Sequence, residues 1–318
     1  MIWSELVERG NITIPDVIRV VHDNLPRRRV TREIHAFFRM ILHRRSFRKL
    51  CDLFSRPEFR YIGDIEPAIF YKPFRPYFCK GLPIRKRIDQ IYFHYETLGS
   101  LYRNYIRRLY SSGGIPVLRL QRRNEEEAEY HVILHASSTF RREAELAFSV
   151  VDANDMRMYS AAFSFVKDGD AMSLAITSIQ GCDPSAKDPQ GALRTITRQA
   201  FGLIPMHLVT DLVFMFARAC GARRVIAVKT SHHVFQDFHY KKLSRNVYCD
   251  YDAIWAAFGA KDCGIEGFSE ITEEPRKDLA SIPSKKRSLY RKRYALLDGL
   301  DASVQKLFAV KDGDAAGA

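Results

Sequence analysis

The spacing of apolar residues changes at Gly113 and Gly114, and that change restricts the possible folds more than any other feature of the chain. Beyond the two glycines, apolar and polar residues alternate in five successive runs: IPVLRLQ (115–121), EYHVILHAS (129–137), ELAFSVVD (145–152), MYSAAFSFV (158–166) and MSLAITSIQ (172–180). A period of two marks a strand whose two faces meet different surroundings. Turn signals such as VKDGDA (166–171) separate the runs, so they are expected to form an antiparallel sheet of sequential neighbours.

The segments on either side read as helices. From Pro15 to about Leu53, apolar positions including Val17, Ile18, Val21, Ile34, Phe37, Phe38 and Ile41 recur at helical spacing, broken near Asn24 to Pro26. Two helices joined by a turn fit, the second (LPRRRVTREIHAFFRMILHRRSFRKL, 25–50) carrying an Arg-rich face. That face is either solvated or set against a membrane or nucleic acid. A Pro- and aromatic-rich connection (66–83) leads to a long helical pattern over 84–110. After the five strands, residues 188–221 predict a helix or a broken pair, with Gly202 and Pro205 at the break and Gly221 as the stop. RRVIAVKT (223–230) is a short buried strand, YDAIWAAFGA (251–260) a helix, and short strands continue to about Leu279. A basic helix from Ser284, its expected N-cap, runs to about Phe308, and the tail 309–318 frays.

The expected class is α+β: a basic helical region over 1–112, a mixed and mostly antiparallel sheet flanked by helices over 113–283, and the basic helix 284–308.

Charge follows the same divisions. Residues 1–110 carry 22 Lys and Arg against 11 Asp and Glu, residues 111–283 carry 20 against 22, and 284–294 add six cations with no acid. A positive surface confined to two regions calls for an anionic partner. The six cysteines stand singly, as in a reducing compartment. The first residues, MIWSELVERGNITIP, lack the features of a signal peptide, and the most apolar stretch (203–220) is interrupted by His207 and Asp211. A cytoplasmic protein, free or held peripherally at an inner membrane, is therefore expected.

The histidine-rich stretch VKTSHHVFQDFHYKK (228–242) follows the short buried strand. His232, His233, Asp237 and His239 are ligand types, but neither an HExxH spacing nor a cysteine pair accompanies them, and no metal is expected. His232 and Asp237 form the H-x4-D spacing of glycerolipid acyltransferases, on a strand order those enzymes lack. A loop at the C-terminal end of a buried strand is also where ligands sit in sheets with crossover helices. There His233 is either a catalytic base or a structural histidine bonded to backbone. Asp252 either caps the following helix or orients His233. Tyr251, Trp255 and Phe258 share one helix face and read as core, beside Tyr248.

The order of meander, polar loop, long helix, short buried strand and aromatic helix resembles the core of GNAT-type N-acyltransferases. That resemblance implies acyl-CoA or another acyl carrier as donor, held by backbone N–H groups at a helix start. Here the corresponding loop, QGCDPSAKDPQGALRT, supplies Gln180, Gly181, Lys187, Gly191, Arg194 and Thr195 as cofactor-binding candidates. The usual Arg/Gln-x-x-Gly-x-Gly/Ala signature is absent, and Asp183 and Asp188 bring negative charge.

A closer resemblance covers about 100–308. FSFV, SIQG, TRQAFGLIPMHL, RRVIAVKTSHHVF, YDAIWAAFGA and IPSKKRSLYRKRYALL occur in an order similar to the VirK/YbjX family of Gram-negative bacteria. It implies roles in envelope homeostasis, tolerance of cationic antimicrobial peptides and virulence.

Two functions follow as expectations. One is an N-acyltransferase in which His233 deprotonates an amine of an envelope component, with Asp252 beside it. The other is a non-enzymatic basic module that binds anionic lipid or, less in keeping with the motifs, nucleic acid. The expected anionic ligand is a CoA-like phosphate, a phospholipid or a lipopolysaccharide precursor.

Overall fold

A computed structural model describes residues 3–10, 12–23, 38–111, 113–122, 124, 126–136, 140–240 and 249–309. The turn expected at 24–26, the first half of the Arg-rich helix, Tyr248 and the tail 310–318 lie outside the described residues.

The front region is helical: α1 (Trp3–Arg9), α2 (Ile14–Asp23), α3 (Arg44–Ser55), α4 (Arg60–Ile65), α5 (Ile84–Tyr102) and α6 (Ile106–Leu109). The pattern read as one helix over 84–110 breaks into a 3-10 turn at Arg103–Tyr105. The five alternating runs are strands β1 (Ile115–Arg119), β2 (Tyr130–His135), β3 (Leu146–Asp152), β4 (Arg157–Asp168) and β5 (Ala171–Gln180). The broken helical segment is a pair, α7 (Pro189–Gln199) and α8 (Pro205–Ala219). Gly202 and Gly221 take the left-handed φ values of +80° and +70°. Then come β6 (Val225–Val228), α9 (Tyr251–Ala256), β7 (Lys261–Asp262), β8 (Phe268–Ile271) and α10 (Ser284–Phe308).

Strand order in the sheet is β1-β2-β3-β4-β5-β6-β8-β7. Every neighbouring pair is antiparallel except β5 and β6, which run parallel because α7 and α8 carry the chain across between them.

The two faces of the sheet differ in chemistry. Phe148, Phe163 and Phe165 line one face and meet Phe216 of α8, while His94 and Tyr102 of α5 lie against Phe165. Phe308 at the end of α10 packs on Phe216 and Tyr102, and the Tyr102 hydroxyl donates to its carbonyl at 2.7 Å. The other face presents the small residues Ala147 and Ala162 and the hydroxyls of Ser149 and Ser160, bonded to each other at 2.6 Å. Trp3, Phe54, Phe59 and Phe70 of the helical region belong to the same continuous core as the sheet's large aromatics. Among the described residues no helix is long and apolar enough to cross a membrane.

Two caps differ from expectation. The residue before α10 is Pro283, so Ser284 is its first helical residue and makes no capping bond. Asp250 rather than Asp252 caps α9, accepting from the backbone of Ala253 at 3.1 Å. Each cap lies one or two positions before the expected residue, a difference that spacing alone does not resolve.

Candidate functional site

The chain between β2 and β3 folds back onto the small-residue face of the sheet. Phe140 and Ala144 pack on Ala147 and Ala162, and backbone bonds from Glu143 and Ala144 to the Phe140 carbonyl close a tight turn. Glu143 and Glu145 are thereby carried inside, 1% and 5% exposed. A buried carboxylate needs partners, and the two acids find different ones.

Glu145 lies 2.7 Å from the Lys72 ammonium and accepts from the hydroxyls of Tyr77 at 2.5 Å and Tyr95 at 2.9 Å. Tyr95 in turn shares a hydrogen bond with Tyr110. Burial pushes the Glu145 carboxyl upward, but Lys72 and the hydroxyl donors outweigh it and hold the group below its ordinary value. Glu145 is an anion at neutral pH. Burial and that anion keep the three phenols protonated.

Among the described residues Glu143 has no ion-pair partner. Its Oε1 accepts from Gln180 at 2.9 Å and from Ser178 at 3.3 Å, and its carbonyl accepts from Thr177 at 2.6 Å. Burial raises its carboxyl to about 7 against those bonds. Two carboxyls two residues apart therefore stand in different protonation regimes, the arrangement in which one group exchanges protons while its neighbour holds charge. Both line a cavity of about 630 Å³ together with Lys72, Arg75, Arg142 and Tyr110.

Next to this cavity β5 and β6 part. They pair only at Leu174–Ile176 with Val225–Ala227, while β5 continues to Gln180. Two side chains of α9 fill the opening. Trp255 donates to the Val228 carbonyl at 2.7 Å, and the Tyr251 hydroxyl accepts from the Ile179 amide at 3.2 Å. They satisfy backbone groups that continued pairing of β5 with β6 would have used.

His233 lies beneath this wedge, 2% exposed, with its ring stacked on Tyr251 at 4.9 Å. Its Nδ1 accepts from the Phe235 amide at 3.4 Å, which leaves Nε2 to donate to the Tyr251 hydroxyl at 3.4 Å. Burial lowers the imidazole to about 4, so it is neutral at physiological pH. From there Tyr251 reaches Ser178 at 3.5 Å, and Ser178 reaches Glu143. His233 reaches Glu143 through this line of long bonds, and its ring lies against Phe235 of the cavity lining. Asp252 is exposed on α9, its backbone amide bonded to the Thr230 hydroxyl at 3.0 Å, and it is not among His233's partners.

Of the cofactor-binding candidates, Gln180 joins the site through Glu143. Gly181 is exposed, as are Lys187 and Arg194, and Thr195 is half-buried beside Arg198. The Gly191 amide is already occupied. It donates to Asp188 Oδ1 at 2.9 Å, and a Cβ at Gly191 would stand 2.0 Å from Asp188 Oδ2. A carboxylate thus sits where the expected pyrophosphate would bind, and these residues do not fit that group.

The remaining histidines have separate partners. His239 bonds Asp237 at 2.7 Å, and His232 bonds Ser231 at 2.9 Å. Among the described residues no three His, Cys, Asp or Glu side chains gather as a metal-holding group.

Sequence reasoning passed over Lys72, Glu143, Glu145 and the three tyrosines. A faint signal existed. Glu-Ala-Glu immediately before the apolar run LAFSVV places two acids on one side of an extended chain entering the core. The partners of Glu145 come from residues 72 to 95 and those of Glu143 from residues 178 to 180, which nothing local connects to them.

Residues 26–306 match the family described as "Protein of unknown function (DUF535)". The chain is 23% identical over 283 residues to "Uncharacterized protein YbjX" of Escherichia coli (strain K12), covering 88% of this chain and 84% of that protein. Two proteins of Haemophilus influenzae, each described as "Uncharacterized protein", are similar over shorter stretches. One is 29% identical over 45% of this chain and 46% of its own length, the other 27% identical over 52% and 53%.

Proposed function

The chain belongs to the DUF535 family, and from that premise we propose that it is an acyltransferase that moves an acyl group from a carrier thioester to an amine, with Glu143 as the base. The observation that carries this reading is the pair of carboxyls in the cavity of about 630 Å³, Glu145 fixed as an anion by Lys72 and Glu143 raised to about 7 by burial, with no ion-pair partner among the described residues. General acid–base chemistry at neutral pH needs a group titrating there, desolvated and within reach of a substrate.

Strand order supports acyl transfer in particular. A sequential antiparallel meander ends in β5, two crossover helices follow, and a parallel β6 diverges from β5 beside the cavity. The sequence resemblance to GNAT-type enzymes rests on the order of meander, polar loop, long helical segment, short buried strand and aromatic helix, and the parallel pairing of β6 with β5 is in keeping with it. In the reaction the amine nitrogen attacks the thioester carbonyl carbon, its proton passes to the Glu143 carboxylate, the C–S bond breaks, and the thiolate leaves with the bonding pair. The negative charge that grows on the carbonyl oxygen is met by the cations on the cavity wall, Arg142 among them. Asp188 closes the helix start at Gly191, so the donor is a carrier thioester anchored elsewhere in the protein.

The family resemblance supports an amine of an envelope component or its precursor as acceptor, and on this reading the protein works at the cytoplasmic side of the inner membrane. His233 is then a positioning residue that acts on Ser178 and Glu143 through Tyr251.

The test is release of free thiol from acyl-carrier thioesters by purified protein in the presence of amine acceptors. Glu143→Gln is expected to lower the rate by about a hundredfold or more, and His233→Asn by less. The proposal fails if the protein neither binds nor turns over any carrier thioester, or if Glu143→Gln keeps the full rate.

A further inference from the structure

A second cavity, of about 840 Å³ and sharing no lining residue with the first, is a groove between the edge strand β1, the end of α7 and the first half of α10. Its wall is apolar at Leu118, Phe201, Leu289 and Leu296, and at its rim stand Lys292 and two arginines, Arg119 and Arg198, that pair with Glu129 and Glu127. Leu289 is 36% exposed, and nearby Ile204 is 45% exposed. Along α10, Lys285, Lys286, Arg291 and Lys292 are exposed and have no ion-pair partner among the described residues. Arg293 is used internally, bonding the Phe201 carbonyl at 3.1 Å and holding the α7–α8 turn against the helix.

Two further features of this groove lack an explanation within the chain. Gln199 is 2% exposed and lines the groove, and its Nε2 donates to Ala128 O at 2.8 Å and to Glu127 at 3.2 Å. Those bonds fix the amide orientation and leave Oε1 as a buried acceptor with no donor among the described residues. Gly299 interrupts α10 where a Cβ would meet nothing within 4 Å. Glycine disfavours a helix interior, and no described residue approaches it to require one.

We propose that this groove seats an acidic phospholipid of a membrane surface. The acyl chain lies along Leu118, Phe201, Leu289 and Leu296 and passes Gly299. The phosphate sits at Lys292 among the rim cations, and a headgroup hydroxyl donates to Gln199 Oε1. A nucleic-acid backbone or a free anion would use the cations but leave the apolar wall in water, whereas a lipid uses both. The remaining cations of α10 then face the same anionic surface. The assignment is independent of the acyl-transfer reading and stands or falls without it.

Flotation of the full chain with phosphatidylcholine vesicles, with and without phosphatidylglycerol, tests it. Binding is expected only when phosphatidylglycerol is present. Arg291→Gln and Lys292→Gln should each weaken it about five-fold. Gly299→Trp, built out into the open groove from a position with no neighbours, should leave the melting temperature unchanged and reduce binding, while Gly299→Ala should bind as the wild type. Equal flotation with pure phosphatidylcholine, or none with phosphatidylglycerol, overturns the proposal. So does wild-type binding by Gly299→Trp, which would make α10 a flat cationic surface, or release by inorganic phosphate at matched ionic strength, which would reassign the site to the free anion.

Discussion

At the scale of single residues, Glu143 and Glu145 show how partners rather than residue type set chemistry. Both are buried carboxyls on one turn, yet Lys72 draws one down while the other rises to about 7. The Glu143 shift has consequences for both rate and stability. As a base it must be ionised, so the rate should climb with pH through about 7 and level off above it, and Glu143→Gln should lack that limb. As a folded-state group whose pKa lies above its ordinary 4.5, it retains a proton that the unfolded chain gives up between 4.5 and 7. Its contribution to stability is therefore full below 4.5 and lost as pH rises through 7. Glu143→Gln, which keeps an acceptor for Gln180 and Ser178, should be more stable than the wild type above pH 7 by up to roughly 3 kcal/mol. Denaturant unfolding of both proteins across that range measures it. His94, His135 and His233, each lowered to about 4 by burial, impose the opposite slope on both proteins and cancel in the comparison. A variant less stable than the wild type at pH 8 would mean that Glu143 is ionised without penalty.

At the scale of elements, the informative feature is the place where two parallel strands stop pairing. Tyr251 and Trp255 were legible as one face of a helix, and both are buried. Their polar atoms, which complete β5 and β6, were not legible, because a hydroxyl or indole N–H finds its partner only after the helix is docked. Tyr251→Phe removes the acceptor of the Ile179 amide and should destabilise by about 1–3 kcal/mol, the penalty of a buried donor left without a partner. Hydrogen exchange at Ile179 should quicken more than at Leu174, whose amide bonds the Arg224 carbonyl. Unchanged exchange at Ile179 would show that water replaces the hydroxyl and that α9 is not a wedge. At the start of α7 the outcome differs from expectation for a similar reason. Lys187, Gly191, Arg194 and Thr195 mark a helix N-terminus by composition, but Asp188, one of the acids noted from sequence, accepts from the Gly191 amide and took the anion position.

At the scale of the whole molecule, the division into a helical front and a sheet describes the chain's order but not its core. Trp3 packs on Phe70 and donates to the Phe54 carbonyl at 2.8 Å, and Phe54 meets Tyr95, whose hydroxyl reaches Glu145 at the start of β3. Helices and sheet are tied through one buried ion pair, and breaking one side would leave a charge alone in the other. The protein should therefore unfold as one cooperative unit. Its two tryptophans allow the test, since Trp3 reports on the helices and Trp255 on the sheet. In Trp3→Phe and in Trp255→Phe the remaining fluorescence should follow the same midpoint as the far-ultraviolet signal. Separate midpoints in either variant would mean two independent units.

The sequence by itself determined the local elements: five sequential strands, the broken helix pair with Gly202 and Gly221 at its bends, the short buried strand, the basic closing helix and the family. Each is written in a period or a turn residue that acts over a few positions. Tertiary structure alone decided that β6 lies parallel to β5, that His233 is buried and neutral behind Tyr251, and that Glu143 titrates near neutrality. Those properties depend on packing and desolvation by segments distant in sequence, as the Lys72–Glu145 ion pair does, and no local pattern encodes them.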